Sequence, residues 1–213
     1  MNLFDKGILF DLDGTLWNSS KQVVESWNSV FAKHDEFSLQ ITESDMQALM
    51  GRVMSDIIKA LLPEQPESVR LKVLEECCKV ENSYLASHGG VLFDFLEETL
   101  SLLCKNYSLF IVSNCQSGYI ECFLKYYHFE KYFTDIECSG NTGKNKGENT
   151  VSVIERNHIK KAVFVGDAQV DLDAANYAKI PFIFCKYGFG HIDENRPEIL
   201  SLRDLPNEVS KLI

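Results

Sequence analysis

Asp11 and Asp13 stand one residue apart in Lys6-Gly7-Ile8-Leu9-Phe10-Asp11-Leu12-Asp13-Gly14-Thr15. The apolar run Ile8 to Phe10 reads as a buried strand that delivers both carboxylates at its carboxyl end. Residues i and i+2 of a strand point to one side, so Asp11 and Asp13 face the same space. Two close carboxylates repel, and each raises the other's pKa unless a cation lies between them. Mg²⁺, which takes hard oxygen ligands, would relieve that repulsion. Asp-Gly is also a common turn pair, and solvated acids in a turn are the other reading of this stretch taken alone.

Three further polar groups fall at comparable places. Ser113-Asn114 follows the buried run Leu109-Phe110-Ile111-Val112, and Asp167 with Asp171 follows Ala162-Val163-Phe164-Val165. Lys144 and Lys146 lie in the polar, glycine-rich stretch Ser139 to Gly147, which reads as a loop ahead of a helix from Glu148 to Asn157. Each has an ordinary alternative. Ser113-Asn114 could cap the next helix, the lysines could be solvated, and Asp171 could be a first-turn acid favoured by the helix dipole.

The elements that must position these groups alternate between helix and strand from Gly89 onward. Helical faces are expected at Phe93 to Leu103 and Tyr119 to Tyr127, a short strand at Phe133 to Cys138, a small-residue helix around Leu172 to Ala178, and a strand at Pro181 to Cys185. The tail from Gly188 reads as loop with a short strand or helix near its end. Alternation of this kind implies a parallel sheet with helices on both faces. In such a sheet all carboxyl ends lie on one edge, where ligands bind, so the four groups converge.

The stretch from Ser19 to Ser87 carries only helical signals. They are Ser20 to Lys33, a short helix opened by a capping box at Thr42-Glu43-Ser44-Asp45 and running to Met50 with Gly51 as its stop, Met54 to Leu62, and a long helix after Pro66. An all-helical domain, residues 17–86, therefore interrupts a discontinuous α/β core of residues 1–16 and 87–213. Arg52, on the turn after Gly51, could bind an anionic or hydroxylated part of a substrate, or pair with a surface acid of the insert.

Composition narrows the partners. The chain has 213 residues, 45% hydrophobic and 24% charged, as an ordinary globular protein does, and a net charge of −10 argues against nucleic acid. Seven cysteines, with no C-x-x-C, suggest neither a disulfide framework nor a zinc site, and His88, His128, His158 and His191 show no ligand spacing. Cys115, Trp17 and Trp27 read as packing residues. With no membrane-length apolar run and no signal-peptide pattern, a cytoplasmic protein is expected, with no membrane partner.

Asp11-Leu12-Asp13-Gly14-Thr15, Ser113 at a strand end, a lysine ahead of a helix, and Gly166-Asp167-Ala168-Gln169-Val170-Asp171 together resemble the haloacid dehalogenase-like superfamily of phosphohydrolases. The resemblance covers nearly the whole chain and lies nearest the phosphoglycolate phosphatase and beta-phosphoglucomutase branch, whose helical cap the insert resembles. It implies a three-layer Rossmann-like core with that cap, Mg²⁺ as cofactor, and a small phosphorylated metabolite as substrate. It makes Asp11 the nucleophile and Asp13 the general acid and base. Ser113 and the amide of Asn114 would bind the phosphoryl oxygens. Lys146 is preferred over Lys144 as the charge-neutralising lysine. Asp11, Asp167 and the carbonyl of Asp13 would hold the metal, with Asp171 as a ligand or as the group that orients Lys146. The loop bearing Arg52 would confer specificity. Asn18 departs from the pattern, since many of these phosphatases have Asp there. A phosphatase hydrolysing a monoester through an aspartyl-phosphate is the expectation. A phosphomutase on the same fold is the alternative, and a non-catalytic phosphate-binding protein stands behind it. A dehalogenase generally lacks an acid at the place of Asp13.

Overall fold

The computed structural model describes residues 4–213, so residues 1–3 of the expected core segment lie outside it. The apolar run becomes β1, Lys6–Phe10, buried from Gly7 onward as a strand covered on both faces must be. The chain leaves through β2 (Trp17–Asn18) and passes through α1 (Ser20–Phe31), α2 (Glu43–Gln47), α3 (Met54–Leu61) and α4 (Glu67–His88). It returns through β3 (Val91–Leu92), which pairs antiparallel with β2 at the root of the helical insert. The remainder runs α5 (Leu96–Leu103), β4 (Ser108–Ser113), α6 (Tyr119–Tyr127), β5 (Phe133–Cys138), α7 (Ser139–Thr142), α8 (Lys146–Arg156), β6 (Lys161–Gly166), α9 (Gln169–Ala178), β7 (Phe182–Cys185), β8 (Glu198–Ile199) and α10 (Leu205–Leu212).

Six strands form one sheet in the order β5-β4-β1-β6-β7-β8, and every pairing in it is parallel. The chain builds outward from β1 on the β4 side first and on the β6 side afterwards. The strand order therefore reverses at β1, and the crevice beyond its carboxyl end is where an open α/β sheet binds ligands. Alternation along the strands fills two layers. Ile8, Phe10, Ile111, Val163 and Ile183 pack with α5, α6 and α10 residues such as Leu100, Phe123 and Val209. Leu9, Phe110, Val112, Phe164 and Phe182 pack with Val153 of α8 and Leu172 of α9.

Most sequence expectations are met within a few residues. The Thr42 capping box forms, with Asp45 N–H donating to Thr42 Oγ1 at 3.2 Å and Thr42 N–H donating to Asp45 Oδ2 at 2.8 Å. Helix α2 stops at Gln47 rather than Met50, and the turn that follows reaches Gly51 at φ +84°, a conformation costly for a residue with a Cβ. Three features differ from the expectation. The β2–β3 ribbon has only two residues per strand, too few for a periodicity to register. A single helical turn, α7, occupies the start of the loop expected from Ser139 to Gly147. Phe93 lies ahead of α5 rather than on it, since Phe95 at φ +66° precedes the first helical residue. Among the described residues all seven cysteines are unpaired, and no helix is long and apolar enough to cross a membrane.

Candidate active site

Asp11 follows β1 directly, and its N–H donates to Val165 O of β6 at 2.9 Å, so the adjacent strand fixes its backbone. The residue is 3% exposed. Lys146 is the first residue of α8, and the turn before it is set by Asn145. Glu148 N–H donates to Asn145 Oδ1 at 2.9 Å, while Asn145 N–H donates to Glu148 Oε2 at 3.0 Å. That reciprocal cap directs Lys146 inward. The lysine is 2% exposed, and its Nζ donates to Asp11 Oδ1 and to Asp171 Oδ1, each at 2.6 Å. Lys144 is exposed and makes neither contact.

Asp171 lies in the first turn of α9, where its Oδ2 accepts the N–H groups of Asp167 and Ala168, each at 3.0 Å. With Oδ1 taken by Lys146 and Oδ2 by two amides, Asp171 is spent on holding the lysine and the β6–α9 turn. Asp167 Oδ2 accepts the N–H groups of Phe189 and Gly190, at 2.7 and 3.0 Å, and Thr15 Oγ1 donates to its Oδ1 at 3.4 Å. The carboxylate lies close against Gly14. At φ +84°, a Cβ on residue 14 would come within 2.3 Å of Asp167 Oδ2, so the Gly of Asp-Gly-Thr admits the second acid.

Asp11, Asp167 and Asp171 bring one carboxylate oxygen each within 4.8 Å of one another. Three acids thus face the single ammonium of Lys146 in a dry environment. Burial, then Asp171, hold Asp11 well above the usual carboxylate range despite Lys146. Burial and Asp171 push Asp167 up to about 7. Lys146 is held above the ordinary lysine value; burial opposes this, and Asp11 and Asp171 outweigh it. The donor set is all oxygen and the local charge is in excess, which suits a hard divalent cation.

Asp13 does not join that cluster. Its Oδ1 accepts Ser19 Oγ–H at 2.6 Å and Tyr119 Oη–H at 2.8 Å. Loss of surrounding water raises its carboxyl above the ordinary value, and the Ser19 and Tyr119 hydroxyls offset part of the rise. Asp11 and Asp13 do line one cleft, together with Ser113, Asn114 and Arg52. They do so from a turn beyond the strand, because β1 ends at Phe10 and pleat alternation no longer applies. Ser113 Oγ accepts Cys115 N–H at 3.3 Å. Asn114 reaches across to the insert, its Nδ2 donating to Gly51 O at 2.8 Å while its Oδ1 accepts Ser139 Oγ–H at 2.9 Å. Arg52 is exposed and is not paired with any acid of the insert. Asn18 Oδ1 accepts the N–H and hydroxyl of Ser20, at 3.0 and 2.7 Å, tasks that an Asp could also perform.

Sequence reasoning missed Ser19, Tyr119, Gln116 and Glu81. Tyr119 reads as one more apolar residue on the face of α6, and only folding shows its hydroxyl on Asp13. Glu81 of α4 reads as one acid among many, yet it is 2% exposed and lines the cleft with Trp27 and Gln116. Thr15 was legible as part of the first motif, and its hydroxyl contact with Asp167 was not.

Comparison with known proteins bears on the family and the fold. Over 96% of its length the chain is 25% identical to phosphoglycolate phosphatase of Escherichia coli (strain K12), of which it covers 93%. Its fold superposes on a hydrolase of the haloacid dehalogenase-like family from Streptococcus pneumoniae with a TM-score of 0.78 at 18% identity, covering 95% of this chain and 97% of that one. A 2-haloacid dehalogenase from Pseudomonas syringae superposes with a TM-score of 0.69 at 20% identity, covering 98% and 99%. The same fold thus hosts different chemistries, and the site must decide between them. The sequence profile of the haloacid dehalogenase-like hydrolases matches residues 8–185, and the chain belongs to that family.

Proposed function

We propose that the protein is a Mg²⁺-dependent phosphatase that hydrolyses a small phosphate monoester through an aspartyl-phosphate on Asp11. The observation that carries this reading is the buried Asp11 carboxylate, held by Lys146 at 2.6 Å in the cleft that Asp13 also lines. With Lys146 and a bound cation to hold it ionised against the burial and the Asp171 charge, this oxygen can attack phosphorus without a separate base. The bond from Asp11 to phosphorus forms as the ester P–O bond breaks, and the leaving oxygen takes a proton from Asp13. Water then attacks the phosphoryl group and gives its proton to Asp13, and cleavage of the acyl phosphate frees Asp11 and inorganic phosphate. Ser113 and the Asn114 amide would hold phosphoryl oxygens, and Lys146 would allow two anions to approach. Mg²⁺ held by Asp11, Asp167 and the Asp13 carbonyl would supply the remaining neutralising charge.

In this reading residues 17–86 act as a cap over the core of 1–16 and 87–213, and Arg52 lines the cleft from the cap side. The substrate in this reading is small, since the phosphoryl-binding groups and the cap residues line one cleft of about 450 Å³. The unpaired cysteines fit a reducing compartment such as the cytoplasm. The test is phosphate release from a chromogenic monoester. Asp11→Asn should abolish it while the circular dichroism spectrum is retained. Chelation should stop the wild type, and Mg²⁺ but not Ca²⁺ should restore it. Appreciable turnover by pure Asp11→Asn protein would remove Asp11 from its role.

A further inference from the structure

The cleft contains an acid that the proposed chemistry does not use. Glu81 lies in α4 of the insert, 2% exposed. Its Oε2 accepts the indole N–H of Trp27, and the Gln116 amide is its other hydrogen-bonding neighbour. Among the described residues no lysine, arginine or histidine acts on it. Gln116 adds a second unmet need. Its Nε2 donates to Asn82 Oδ1 at 3.0 Å, and its buried Oε1 finds no donor among the described residues. Two acceptors, one of them a carboxylate, therefore line the same cleft as Asp11 and Asp13. Buried carboxylates without a cation are costly, and a buried acceptor without a donor is also costly.

We propose that Glu81 and Gln116 form a recognition site for a primary ammonium group on the leaving alcohol, so that aminoalkyl phosphates are the preferred substrates. This rests on the phosphatase reading above. An ammonium carries three donors and no acceptor, which matches two acceptors at once; a hydroxyl offers one donor. Its charge also supplies the counter-ion that Glu81 lacks. Burial pushes Glu81 up to about 7, against the hydrogen bonds of Trp27 and Gln116, and an adjacent cation would favour its ionised form. A leaving group ending in a carboxylate, as in phosphoglycolate, would meet Glu81 with like charge.

The experiment compares kcat/KM of the wild type, with Mg²⁺, on four esters of similar size: 2-aminoethyl phosphate, propyl phosphate, 2-hydroxyethyl phosphate and phosphoglycolate. The ammonium ester should exceed its methyl counterpart, propyl phosphate, by about 10- to 100-fold, the size of a hydrogen bond to a charged group. Glu81→Gln, which keeps an acceptor for Trp27, should collapse that ratio towards one, chiefly through KM. If propyl phosphate is hydrolysed and the ammonium ester has no advantage, or if phosphoglycolate or the glycol ester is preferred, the ammonium site is refuted and the phosphatase reading stands. If none of the four releases phosphate, the phosphatase reading itself fails. The wild-type ratio decides the matter even if Glu81→Gln does not fold.

Discussion

Removing the Lys146 ammonium tests the electrostatic arrangement of the site most directly. Its Nζ holds Asp11 and Asp171 at 2.6 Å each, and all three side chains are buried. Lys146→Ala leaves two carboxylates facing each other, with Asp167 nearby and no cation. Taking one partner from a buried ion pair costs about 3–5 kcal/mol, because the remaining charge is stranded. Asp171 retains the Asp167 and Ala168 amides, so the penalty falls mainly on Asp11. Protonating Asp11 relieves it. Asp11 is already raised by burial and by Asp171, and losing Lys146 raises it further. A folded-state carboxyl pKa above the unfolded value contributes stability at low pH that is lost as pH rises. The deficit of Lys146→Ala should therefore be small near pH 5 and reach the stated size near pH 8.

The assay is urea unfolding followed by far-ultraviolet circular dichroism, in chelator, at the two pH values. Lys144→Ala is the control. As an exposed surface change it should stay within about 0.5 kcal/mol. In the chromogenic assay with Mg²⁺, Lys146→Ala should lose about 10²–10³-fold or more in rate, as loss of preorganised charge does, and Lys144→Ala should lose little. The reasoning is refuted if Lys146→Ala unfolds within 1 kcal/mol of wild type at pH 8 (about a third of the lower bound above), or if Lys144→Ala is the slow variant.

Two further outcomes follow from the cleft. Tyr119→Phe removes one of the two hydroxyls on Asp13 Oδ1 and leaves that of Ser19; kcat should fall about tenfold, as for one hydrogen bond to a charged group, with far-ultraviolet dichroism unchanged, and an unaltered kcat would detach Tyr119 from the acid. Glu81 binds its proton up to about pH 7 in the folded protein but releases it near its ordinary value of 4.5 when unfolded. Between these values the folded state carries more protons, so its contribution to stability declines as pH rises, by about 3 kcal/mol in total. Subtracting the Glu81→Gln stability curve, measured without ligand, should isolate that decline; parallel curves would show that Glu81 does not titrate there.

The core half of the site was legible because topology does the positioning. Asp11, Ser113 and Asp167 each follow a run of buried apolar residues, and a parallel sheet puts all such ends on one edge. The choice of Lys146 over Lys144 turns on the Asn145 and Glu148 cap, which sets where α8 starts. Glu81 was not legible. It stands in α4 among Glu75, Glu76 and Lys79, and nothing local separates it from acids that remain in water. Its burial comes from Trp27 of α1, more than fifty positions away in sequence. Tyr119 was hidden for the converse reason, since a ring on an apolar helix face gives no sign of where its hydroxyl will point. The β2–β3 ribbon and α7 are too short to carry a period.

These illegible contacts are also the ones that join the insert to the core. Asp13 is clamped between Ser19, at the root of the insert, and Tyr119, on a core helix. Asn114, at the end of β4, donates to the Gly51 carbonyl of the loop that carries Arg52. Glu81 of the insert meets Gln116, two residues beyond Asn114. Seating the insert and setting the proposed acid therefore draw on overlapping contacts, and a change at one bears on the other. Asp11, the proposed nucleophile, is held differently, by β6 through its backbone and by Lys146 through its side chain, both within the core. The expected consequence is a division of labour: alterations of the insert should move the handling of the leaving group, while the attack on phosphorus stays under the control of the sheet edge at β1.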